Sequence, residues 1–478
     1  MWIGLSMPEK FIELGFGESS EYTNKELSVS GNFPLWLSGT LLRNGPGTFR
    51  VGEQRYRHWF DGLAMLHRFT FDEGKVSYAN KFLESKSYKE AMEQGRIIYS
   101  EFATDPCRSL FSRVMSVFHP QVTDSAKVNL AVLSERFIAL AETPIQVEFD
   151  PQTLESVGVF QWDKSTFGRM NTVHPHIDQP QNRAINLVTQ YGALSTYSFR
   201  DYSLDSNELL SRELAKKKTL RPSYIHSFGM TQNYLILVEF PLVVNPINLL
   251  LWLKPYIENF RWEPQLGTKF HIFEKSTGRL VKTLNSEAFF AFHHVNAFEK
   301  DNCIFLDLVT YEDHKIIESF YLHRLEDPDM SIPAGRLQRF ELSLAQGSNS
   351  VQNDFLNQIP IEMPTIDYVQ VNTKSDYRYV YGIGLREERN FYNQIVKIDI
   401  DTQESSSWNE RGCFPGEAIF VRHPEGKNED SGVLLSVVLD SLRGISFLLV
   451  LDATNLTEVA RAELPHPILF GYHGLFVQ

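Results

Sequence analysis

Cysteine is scarce in this chain. Cys107, Cys303 and Cys413 are scattered over 478 positions with no CxxC pair. That excludes a disulfide framework and a thiolate metal site, and it fits a reducing compartment such as the cytosol. Positive charge is also short. Lys and Arg number 46 against 59 Asp and Glu, a net charge of −13, so no basic stripe for a nucleic-acid backbone is expected. Long apolar runs are missing too. The longest segment, 241–257, is interrupted by Pro246 and Asn248, so no membrane-spanning helix is predicted. The first ten residues carry no basic region followed by an apolar stretch of leader length. No GxSxG or comparable nucleophile signature occurs, which argues against acyl-transfer chemistry. No Pro/Gly/Ser-rich linker divides the chain, so residues 1–478 are read as one domain.

What the chain does have is aromatic residues and strand signals. There are 35 Phe and 19 Tyr. Such residues suit sheet cores and equally suit a long apolar cavity. Short β-branched or aromatic runs recur to the C-terminus, among them VNLAVLSERFIALAE, NYLILVEF, CIFLDLVTY and ISFLLVLDA. Turn clusters such as 299–302 and 427–430 separate them. Helical patterns are few; 87–93 and 206–218 have the composition, each opening on a capping-type Ser. The expectation is an all-β fold: sandwich, barrel or propeller. No strict repeat of 40–50 residues selects among them.

Four histidines sit in tight local motifs: His174 in NTVHPHID, His226 in SYIHSFGMTQNY, His293 in FHHVNAFE and His473 in GYHGLFVQ. Their gaps of 52, 67 and 180 residues are not the i, i+4 spacing of a helical metal site, so the ligands must converge from separate strands. Four neutral imidazoles with no thiolate and no carboxylate form a donor set suited to iron, with room left for dioxygen. His176 and His294 adjoin two of the four and compete with them for the role. His473 lies five residues from the C-terminus, and a ligand there requires the last strand to be tied into the structure. Two apolar stretches with flanking cations, Cys107–Pro120 and Leu242–Leu253, have the pattern of segments that lie in a membrane interface.

The four histidine motifs, together with LSGTLLRNGPGTF and HWFDGLAMLHRF, resemble the carotenoid cleavage oxygenase family from about Leu27 to Gln478. The resemblance implies a seven-bladed β-propeller with a dome of loops and helices over one face. It implies Fe(II) held by His174, His226, His293 and His473, with Glu142, Glu362 and Glu417 behind three of them. It places Val128 over an open coordination position, and Phe60 and Tyr224 on the substrate cavity. It implies O2 as co-substrate, a lipophilic polyene collected from a membrane through the two apolar stretches, and a cytoplasmic, peripherally membrane-associated protein. The activity implied is oxidative cleavage of a conjugated C=C bond of a carotenoid or apocarotenoid to aldehydes. Retinal is the expected product, because the motif wording is closest to the retinal-forming and isomerohydrolase branch. A non-oxidative retinyl ester isomerohydrolase, a stilbene-cleaving dioxygenase and a metal-free propeller scaffold are the alternatives. The RNGPG pattern counts against the stilbene branch.

Overall fold

Seven sheets arranged as propeller blades account for most of the computed structural model, which describes residues 7–106, 123–160, 162, 169–205, 211–250, 254–327, 329–386 and 391–478. The second to sixth blades are built in chain order from four or five antiparallel strands each. They start at Asn129–Leu133, Arg169–Asn171, Gly229–Met230, Phe290–Lys300 and Glu362–Thr365. In each, the strand that begins the blade lies at one edge of the sheet. Gly229–Met230 contacts Phe290–Lys300, and Phe290–Lys300 contacts Glu362–Thr365, so that such opening strands gather around the axis.

Local chemistry explains the hairpins. Between Phe290–Lys300 and Cys303–Tyr311 lie Asp301 and Asn302, both at positive φ (51° and 58°). Two such residues form the type I′ turn whose twist matches the flanking strands. Ser134 and Glu135 (φ 50° and 67°) do the same, so VNLAVLSERFIALAE is a hairpin of Asn129–Leu133 and Arg136–Leu140 rather than one run.

Both chain ends close the ring. Gly474–Val477 pairs with Gly39–Thr48 in the first blade, in register Thr40 with Val477 and Arg43 with Gly474. Ser28–Gly31 pairs with Glu458–Glu463 in the seventh, in register Ser28 with Glu463 and Gly31 with Ala460. The terminal histidine is thereby anchored, as the sequence required.

Two expectations are corrected. Ser211–Thr219 is a strand paired with Ser195–Ser203, not part of a helix over 206–218; residues 206–210 lie outside the described set. Its lysine-rich composition suits an outer edge strand, where cations discourage further pairing. The other helix, Lys86–Gln94, is capped by Ser85, whose hydroxyl accepts from the Tyr88 N–H, so Ser87 is not the cap.

Candidate metal centre and cavity

The four predicted histidines meet on the propeller axis. His293 is carried by the first strand of the fifth blade, where the register with Cys303–Tyr311 shifts between Ala291 and His294. A bulge at this point re-aims a side chain. His174 occupies the gap between the two short inner strands Arg169–Asn171 and His176–Asp178. His226 precedes Gly229–Met230, and His473 precedes Gly474–Val477. One ligand atom from each of the four lies within 4.8 Å of all the others. Nε2 of His174 is 3.0 Å from Nε2 of His226, and Nε2 of His293 is 3.3 Å from Nε2 of His473.

Outward-facing nitrogens fix the tautomers. Nδ1 of His226 is 2.5 Å from Glu142, Nδ1 of His293 is 2.6 Å from Glu362, and Nδ1 of His473 is 2.7 Å from Glu417. A carboxylate accepts the Nδ1 proton in each, which turns the Nε2 lone pair inward. Among the described residues no carboxylate stands behind His174; the Asn129 amide lies 3.5 Å from its Nδ1. Burial, and then the neighbouring imidazoles, hold His174 well below the ordinary histidine range. The Nε2 lone pairs of His226, His293 and His473, converging in this way, repel one another unless a proton donor or a cation lies between them. Four neutral imidazoles fit a divalent first-row transition ion.

Each carboxylate is itself held. Tyr224 donates to Glu142 at 2.9 Å, Tyr311 to Glu362 at 2.9 Å, and Arg43 to Glu417 at 2.8 Å. Burial resists ionisation of Glu417, but His473 and then Arg43 outweigh it and keep the carboxyl below its usual range. Burial opposes Glu362 likewise, and His293 outweighs it. The competing histidines turn elsewhere. His176 reaches the Tyr368 hydroxyl and the Phe228 carbonyl, and His294 reaches the Ser227 hydroxyl.

A cavity of about 220 Å³ opens onto this cluster. His226, His293, His473, Glu142 and Glu362 form part of its wall, as do the predicted Phe60, Tyr224 and Val128. Most of the remaining wall is apolar and aromatic, including Phe102, Phe292, Phe320 and Tyr392. The Val128 carbonyl accepts the backbone N–H of His473 at 3.2 Å, which ties the first strand of the second blade to the metal cluster. Asp61, beside Phe60, is buried and accepts from Ala103 N and the Thr104 hydroxyl; burial raises it to about 6. It pins the cavity-wall loop and does not reach the cluster.

Of the two apolar stretches, Cys107–Pro120 lies outside the described residues. In the other, Leu242–Val244 is a buried strand paired with Phe260–Trp262, so the first three residues of that segment cannot face lipid. Pro246–Leu250 is a short helix, with Ile247 57% exposed and Leu249 on the cavity wall.

Sequence reasoning did not single out Arg43, Tyr311, or the buried pair Lys127 and Glu101 on the cavity wall. Arg43 lies inside the RNGPG motif, which was the available signal; the other three carry none.

Comparisons with known proteins agree in extent and content. The family model described as retinal pigment epithelial membrane protein matches residues 16–478. A mitochondrial carotenoid-cleaving dioxygenase of Mustela putorius furo is 35% identical, covering 94% of this chain and 93% of the relative. The beta,beta-carotene 15,15'-dioxygenase of Homo sapiens is 34% identical over 94% and 91%. Among solved structures, a mutant of the Synechocystis apocarotenoid oxygenase superposes with a TM-score of 0.88 at 25% identity, covering 98% and 99%. An ACO/RPE65 chimera gives 0.88 at 26% identity, with the same coverage.

Proposed function

The chain belongs to the retinal pigment epithelial membrane protein family, that of the carotenoid cleavage oxygenases, and from that premise we propose that it is a non-haem iron dioxygenase. It cleaves a conjugated C=C bond of a carotenoid or apocarotenoid to aldehydes, with retinal as the expected product. The observation that carries this reading is the convergence of four imidazoles, three of which (His226, His293 and His473) stand on the wall of an apolar, aromatic cavity.

His174, His226, His293 and His473 would hold Fe(II), which supplies dioxygen activation when bound. The rest is the work of the chain. Glu142, Glu362 and Glu417 orient three of the rings and offset positive charge without taking ligand positions. Phe60, Phe292 and Tyr224 hold a rigid polyene in one place, and that position selects the bond to be cut. Val128 limits access beside the cluster. The apolar wall excludes water from reactive species. No side-chain nucleophile is required.

The whole chain acts as one propeller unit in this reading. Among the described residues no helix is long and apolar enough to cross a membrane. The polyene is collected at a membrane surface, a reading supported by exposed Ile247 on the helix whose Leu249 lines the cavity. Cys107–Pro120 belongs to the same proposed contact. The name of the Mustela relative assigns that protein to mitochondria, so the cytosolic expectation widens to any reducing compartment bordered by a membrane.

Anaerobic reconstitution with Fe(II), followed by β-carotene and β-apo-8′-carotenal in detergent under air, tests the proposal. Retinal, lost in His226→Ala, is expected. Other aldehydes keep the chemistry and move the bond. Full iron with no carbonyl product sinks the proposal in favour of isomerohydrolase or stilbene chemistry, and failure to bind iron favours the scaffold.

A further inference from the structure

One part of the cavity wall is ionic. Lys127 and Glu101 are only 4% and 5% exposed, both line the cavity, and Lys127 Nζ lies 2.7 Å from Glu101 Oε2. The other carboxylate oxygen of Glu101 accepts the Thr123 hydroxyl at 2.7 Å. Lys127 immediately precedes Val128, the residue tied to His473.

A buried ion pair is seldom a gain over apolar packing of the same volume, so its presence in this wall asks for a reason. Two other lysines that are buried or half-buried fill more of their donor capacity. Lys397 reaches Asp430 and the Thr454 carbonyl, and Lys282 reaches the carbonyls of Ser343 and Ala345. Lys127 has three N–H donors and, among the described residues, one hydrogen-bond acceptor, Glu101. Unfilled donors on a buried ammonium are costly, and the cavity is where an acceptor can enter.

We propose that Lys127, held by Glu101, is a specificity residue that hydrogen-bonds an oxygen function of the polyene substrate, so that the enzyme selects oxygenated polyenes over hydrocarbons. The proposal deepens the dioxygenase reading and rests on it for the polyene. Glu101 holds the ammonium in place and Thr123 holds Glu101. An alcohol or aldehyde oxygen completes the ammonium's bonding, whereas a hydrocarbon end leaves it short. A site built to bond a polar group discriminates strongly against analogues that lack it.

Equilibrium binding under anaerobic conditions tests this without turnover. Iron-loaded protein is titrated with all-trans-retinol, all-trans-retinal and the hydrocarbon of the same carbon skeleton, each in the same detergent, and tryptophan quenching is followed. Wild type should bind the two oxygenated polyenes about 10- to 100-fold more tightly than the hydrocarbon. Lys127→Met combined with Glu101→Gln should erase that difference and leave hydrocarbon affinity unchanged or improved. Equal binding of all three by wild type overturns the proposal, whether or not the variant folds. Equal weakening of all three in a folded variant overturns it as well. Selective binding by a protein that cleaves no polyene would sink the dioxygenase reading and leave the anchor standing. Cleavage without selectivity would do the reverse.

Discussion

Glu362 and Glu417 look equivalent, each a carboxylate behind one imidazole, but their other partners differ. Glu362 takes a neutral Tyr311 hydroxyl and the Met363 N–H, whereas Glu417 takes the buried guanidinium of Arg43. Glu362→Gln keeps shape and neutral hydrogen bonding, so it should lower metal affinity by about 10- to 100-fold and leave the metal-free protein almost as stable as before. Glu417→Gln should weaken the metal as much. It should also destabilise the metal-free protein by about 3–5 kcal/mol, because the buried guanidinium of Arg43 loses its counter-charge, and its other partner among the described residues, the Tyr472 carbonyl, carries none. Metal content after gel filtration and urea unfolding of the metal-free variants separate the two effects. Equal stability of the two variants would refute the role given to Arg43.

The segment Gly39–Thr48 shows what a motif does as an element. Within RNGPG, Arg43 holds Glu417 and the Tyr472 carbonyl, and the Asn44 amide bridges the carbonyls of Ala126 and Asn129 in the next blade. Gly45 runs so close to Gly471 that an added Cβ would lie 2.5 Å from the Gly471 Cα. Backbone cannot give way there as a flexible side chain does. Gly45→Ala should therefore cost about 1–3 kcal/mol and shift the 471–473 segment, lowering iron retention along with the melting temperature. Unchanged iron content would mean that the approach is slack. The motif was legible in the sequence, but its purpose was not, since Arg43 and its partners stand 374 and 429 residues apart. Hairpins were legible because their partners are adjacent and their turns carry residues such as Asp301 and Asn302 that tolerate positive φ. The 206–218 segment was misread because charged helix-forming composition and a solvated edge strand look alike without knowledge of the neighbour. The histidine motifs marked their own positions, yet which of two adjacent rings faces the axis depends on bulges such as that at His293. Lys127 and Glu101 left no local sign, because a buried ion pair is defined by two positions far apart in sequence.

At the scale of the whole molecule, a propeller must join its first and last blades, and this chain does so twice. Gly474–Val477 closes the first blade, and Ser28–Gly31 closes the seventh. The two closures carry different burdens. The first also positions His473, since Gly474 N donates to Glu417 at 2.9 Å and Arg43, opposite Gly474, holds the same carboxylate. The second touches no metal-site residue in its register. Deleting residues 474–478 should therefore leave a cooperatively folding ring, kept shut by Ser28–Gly31, with a lowered melting temperature. Iron should fall far below one equivalent, because a ligand on a frayed end loses both its carboxylate geometry and its place on the axis. Thermal melts followed by circular dichroism, with iron measured on the same samples, decide the matter. Full iron in the truncated chain would show that three imidazoles suffice, and loss of the cooperative transition would show that the first closure carries the ring alone.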